Sequence, residues 1–92
     1  MIFLDHLPMN AQERKLAPAT VEYETRAKNL LKAELKRKGL TYADLAERLA
    51  AIGVQENERN LNNKISRGGF TAAFLLQCLD AIGCQTIQVQ DG

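Results

Sequence analysis

Ninety-two residues make a single domain with one hydrophobic core. With 46% hydrophobic and 25% charged residues the composition is that of a globular protein, and no run approaches the roughly 20 apolar residues that span a bilayer. Overall the charge is +1, but residues 26–69 carry ten basic side chains against five acidic ones, a net +5, between flanks of −2 each. A basic centre fits a polyanionic partner and fits equally a solvated helical surface.

In chain order, residues 1–19 are expected to be an N-terminal arm. Met1-Ile2-Phe3-Leu4 is cut short by Asp5, His6 and Pro8, too short and too poor in basic residues for a signal peptide, so a cytoplasmic protein is expected. Pro8 and Pro18 bracket a short candidate helix, Asn10 to Ala17. A helical body is expected over 20–84. Thr20 is the candidate N-cap of the first helix, with Glu22 and Glu24 near its start and Lys36, Arg37 and Lys38 near its end, each sign complementing the helix dipole. Ala27, Leu30, Leu31 and Leu35 recur on one face, and Gly39 stops the helix.

Thr41 opens a second helix with a capping-box pattern in which Asp44 stands for the usual Glu. Leu45, Ala46, Leu49 and Ile52 are its expected buried stripe, and Gly53 its stop. Asn57 should cap a third helix, Glu58 to Arg67, closed by Gly68-Gly69. Thr71 should cap a fourth, with Phe74, Leu75, Cys78, Leu79 and Ile82 inward and Gly83 at its end. Residues 85–92 are a tail or a short strand, since Gln85-Thr-Ile-Gln-Val-Gln90 alternates polar and apolar. The expected fold class is all-α, a bundle of four to five helices with or without one terminal β-strand.

The third helix is unusual in composition. Its apolar residues are Leu61 and Ile65 alone, about 40° apart on the helical wheel. Arg59, Asn63, Ser66 and Arg67 fall opposite, with Asn60 and Asn62 at the flanks. Three asparagines weaken a helix that serves only as a helix. Arg pairs with guanine and Asn with adenine through two hydrogen bonds in the major groove, while Lys and Ser suit phosphate oxygens.

Leu45-Ala-Glu-Arg-Leu49 behind Thr41, Asn63-Lys-Ile-Ser-Arg-Gly68 and Leu79-Asp-Ala-Ile-Gly83 together resemble the phage-repressor, Cro-like (XRE-type) helix-turn-helix family over residues 26–84. The resemblance implies a lambda-repressor-like bundle and a transcriptional regulator that binds double-stranded DNA, commonly as a homodimer. It assigns base reading to Arg59, Asn60 and Asn63. Lys64 and Arg67 fall nearer the backbone, and Thr41 and Tyr42 lie beside a phosphate at the second helix's N-terminus, while the Ser66 hydroxyl suits phosphate oxygens by its chemistry. Lys28 and Lys32 suit further phosphate contacts or a solvated face. Gly53 lies seven residues beyond Ala46, where the family turns after about four, so the second helix should be about one turn longer than in the family. Asn62 stands where the family has an apolar residue.

Other functions fit less well. A single histidine, no Ser/Cys–His pairing and no Gly-rich phosphate loop leave an enzyme without parts. Cys78 and Cys84 lack the neighbours for a zinc site, and no cofactor or metal is expected. RNA binding lacks stacking aromatics. A protein-interaction or antitoxin-like adaptor remains the alternative, because a helix-turn-helix fold does not fix function. The homodimer is expected through the chain ends, Ile2-Phe3-Leu4 and Ile87/Val89, unless these pair within one chain.

Overall fold

The computed structural model describes residues 18–89, which form four helices: α1 Pro18–Arg37, α2 Tyr42–Ala51, α3 Glu58–Arg67 and α4 Ala72–Ala81. No strand occurs among them. Each helix sends part of its apolar stripe into one core: Leu31 and Leu35, Leu45 and Leu49, Leu61 and Ile65, then Phe74, Cys78 and Leu79, with Ile82 just beyond α4. Six of these are fully buried, each contributing about 1.5–3 kcal/mol if aliphatic. α3 packs on α1 and α2, and α2 packs on α4, so α3 is supported from two sides.

The helix ends follow from local chemistry. Thr41 and Asp44 make the full capping box, with the Thr41 N–H donating to Asp44 Oδ2 at 2.9 Å and the Asp44 N–H to Thr41 Oγ1 at 3.1 Å. Asn57 Oδ1 accepts the Asn60 N–H at 2.8 Å, and Thr71 Oγ1 accepts the Phe74 N–H at 3.0 Å. At the C-termini of α1, α2 and α4 a glycine turn lets the next residue (Leu40, Val54, Cys84) donate its N–H back to the carbonyl five positions earlier and pack on the core. The α3 terminus differs. Gly68 is buried at φ +74°, and a Cβ there would stand 2.5 Å from the Glu24 carbonyl oxygen of α1. Only glycine gives both the left-handed turn and the close approach.

Three expectations need correction. α1 already runs at Pro18, so Thr20 is not its cap, and Glu22 and Glu24 lie beyond its first turn. Residues 18 and 19 thereby leave the expected arm for the helix. Ile52 is 47% exposed rather than buried: α2 closes at Ala51, and the capping turn swings the side chain off the Leu45–Leu49 stripe. α2 itself runs ten residues, with Gly53 at φ +87° as its stop and residues 54–57 as the connection to α3. Residues 85–89 pair with no described strand, and a lone strand gains nothing from the ladder; Ile87 packs against the core while Val89 is exposed. The Asn10–Ala17 helix and the Ile2-Phe3-Leu4 strand lie outside the described residues.

Candidate nucleic-acid interface

α3 matches its expected boundaries at both ends, Asn57 as cap and Gly68 as left-handed stop. Leu61 and Ile65 are fully buried, and every other residue of the helix is exposed. With the two anchors defining the inward direction, about 100° per residue puts Asn63 directly outward and Arg59 and Arg67 within roughly 40° of it. Among the described residues the side chains of Arg59, Asn63 and Arg67 have no hydrogen-bond or ion-pair partner, which leaves two cations and an amide free for a ligand.

The flanks of α3 are occupied differently. On the α4 side, Lys64 Nζ donates to Glu56 Oε2 at 2.5 Å and lies 5.1 Å from the centre of the Phe74 ring. Glu56 is 8% exposed, so this pair ties the α2–α3 connection to α3 and α4. Lys64, expected near the DNA backbone, is thus engaged within the fold. On the α2 side, Ser66 Oγ donates to Asn62 Oδ1 at 3.3 Å. The Asn60 N–H is the one held by the Asn57 cap, while its side chain is exposed.

One open cleft borders this face, and a second meets it at Tyr42. The first, of about 680 Å³, is lined by Tyr42, Asn57, Glu58, Arg59 and Asn62. The other, of about 440 Å³, lies between the end of α1 and the start of α2, with Lys32, Lys36, Leu40, Thr41 and Tyr42 in its wall. Thr41 is exposed and Tyr42 half-buried. Burial raises the Tyr42 hydroxyl above its ordinary pKa, so it remains a neutral O–H donor. The Thr41 backbone N–H and hydroxyl hold the Asp44 carboxyl below the usual carboxylate range, which keeps a negative charge at the α2 N-terminus. Lys32 is exposed and Lys28 half-buried.

Of the expected residues, the fold brings Tyr42 and Arg59 to one cleft, points Arg59, Asn63 and Arg67 outward, and diverts Lys64. Sequence reasoning missed Asn62, Lys36 and Glu56 as parts of the site. Asn62 was legible in principle as a polar residue at the edge of the apolar stripe. Lys36 follows from the four-residue step after Lys28 and Lys32. Glu56 had no local signal, because its partner is eight residues away on another element.

All these residues fall within one matched stretch, residues 23–87. The chain belongs to the DUF6471 family, a domain of unknown function. The match takes in α2, α3 and α4 whole and α1 from Tyr23 onward, hence both clefts. No curated protein and no solved structure matches the chain. Among the described residues, no helix is long and apolar enough to cross a membrane.

Proposed function

We propose that this chain is a sequence-specific double-stranded DNA-binding protein, a cytoplasmic transcriptional regulator that works as a homodimer and reads the major groove with α3. The outward row of Arg59, Asn63 and Arg67, without partners among the described residues and on a helix held by two buried anchors, carries this reading. Side chains of these types supply bidentate contacts to guanine and adenine, and a ten-residue helix fits the groove. The +5 segment supports the same partner, as does the resemblance to phage repressors. A binding role rather than catalysis is supported by the lack of a nucleophile–base pair in the sequence.

The adaptor reading is favoured by a different observation: Leu76 is 65% exposed beside the exposed Ile52, an apolar surface suited to protein. Titration of genomic duplexes at about 50 mM salt, where phosphate contacts are strong, separates the two readings. Duplex retention that falls steeply with salt is expected, with Arg59→Ala or Asn63→Ala losing about 1–3 kcal/mol on the preferred site and relaxing base preference. No retention of any duplex would turn the assignment to the adaptor. Equal affinity for double-stranded RNA would refute major-groove reading, because that groove is closed to side chains in RNA.

A further inference from the structure

Tyr42 is the wall that two clefts share. On one side stand Arg59 and Asn62 of α3; on the other stand Lys32 and Lys36 of α1. The two lysines are one helical turn apart, so they project from the same side of α1. Both are exposed, and neither has a hydrogen-bond or ion-pair partner among the described residues. Arg37, by contrast, is tied to Glu34. The α1–α2 cleft is therefore lined by two free ammonium groups and a phenol that stays protonated.

The neighbouring helix terminus has the opposite character. A helix N-terminus attracts phosphate through its unpaired N–H groups and the positive end of its dipole. At α2 the capping box has brought a carboxylate of the chain's own to that end, with Asp44 Oδ2 accepting the Thr41 N–H. A phosphate approaching the terminus meets a fixed negative charge. Displaced toward α1 by the width of the cleft, it meets Lys32 and Lys36 instead.

We propose that the cleft between α1 and α2 holds the sugar–phosphate backbone of a bound duplex, gripped by Lys32 and Lys36 with the Tyr42 hydroxyl as a neutral donor. This grip replaces the α2 N-terminus as the phosphate site and extends the interface from α3 across Tyr42 onto α1. The inference rests on the duplex-binding reading above. It adds that backbone contacts, which set the register of α3 in the groove, come from α1.

The test measures the salt dependence of duplex affinity for the full chain, for Lys32→Ala/Lys36→Ala, and for Arg48→Ala. Arg48 is a cation of α2 that lines neither cleft, and its removal controls for loss of positive charge in general. Each lost phosphate contact lowers the slope of log K against log salt by about 0.9. The double variant should lose about two units of slope, equally on preferred and random duplexes, with base preference unchanged. Arg48→Ala should keep the wild-type slope. A double variant with wild-type slope, or one matched by Arg48→Ala, overturns the proposal while leaving α3 as the reader. If the unaltered chain binds no duplex, the DNA reading itself falls, a result distinct from either. All three substitutions are at exposed positions, and a matching helical circular dichroism signal shows that the variants are folded.

Discussion

Gly68 joins two requirements that are separate elsewhere in the chain. At Gly53 the backbone is also left-handed, at φ +87°, but a Cβ would meet nothing within 4 Å. At Gly68 a Cβ would press on the α1 backbone at Glu24. Gly53→Ala should therefore cost only the conformational strain, about 1–2 kcal/mol. Gly68→Ala adds an overpacking cost of about 1–3 kcal/mol, because the neighbour is main chain and cannot rotate away. Urea titrations of the two variants at one pH give the comparison. Equal midpoints would show that α1 yields at Glu24 without cost and that Gly68 is needed for its φ alone. The position bears on function, since it sets where α3 ends against α1 and thus how Arg67 is presented.

At the level of the element, α3 depends on its ends more than its neighbours do. Three of its ten residues are asparagine and only two side chains are buried, so intrinsic propensity and packing both contribute little. Its N-terminus is held by the Asn57 side chain and its flank by Glu56 through Lys64. Asn57→Ala should lower stability by about 1 kcal/mol, and the loss should be local, appearing first as faster amide exchange through Glu58–Leu61. Exchange that quickens uniformly across all four helices would mean that α3 does not open separately from the rest. The same comparison explains what the sequence could tell. Caps and leucine spacing are local, so Thr41, Asn57, Thr71 and the Leu61/Ile65 anchors were readable from a few residues each. The exposed Ile52 and the Glu56–Lys64–Phe74 contact depend on where other elements lie, and no periodicity reports that. The face of α3 was readable because only two of its positions are apolar. Its extension onto α1 needed the fold, which brings the clefts together at Tyr42.

Across the whole molecule, the described residues expose apolar surface both in the tail, where the sequence suggested it, and on the helices. Val89 is 64% exposed, and so are Leu76 of α4, at 65%, and Ile52 at the end of α2, at 47%, both outside the core. A cleft of about 820 Å³ runs between Ile52 and Leu76 and takes in Leu79, Gln85 and Ile87, with Asp80 as its single charged residue. It uses no residue of α1 or α3, so a partner seated there would leave the lysine and arginine side chains free. One ten-residue helix touches few base pairs, and a two-fold pair would present two of them to half-sites one helical turn apart. For the homodimer proposed above, this near-neutral face offers apolar and amide groups that can pair with themselves, whereas two basic faces would repel. Leu76→Glu should therefore convert a dimer into a monomer in light scattering at tens of micromolar, roughly where a weak dimer still forms. Its helical circular dichroism signal should remain that of the parent, because the side chain is largely in solvent and outside the core. Val89→Glu charges the tail instead and should leave the dimer intact. If only Val89→Glu dissociates it, the contact lies in the tail, and if the unaltered chain is already monomeric at that concentration, the paired mode of reading is wrong.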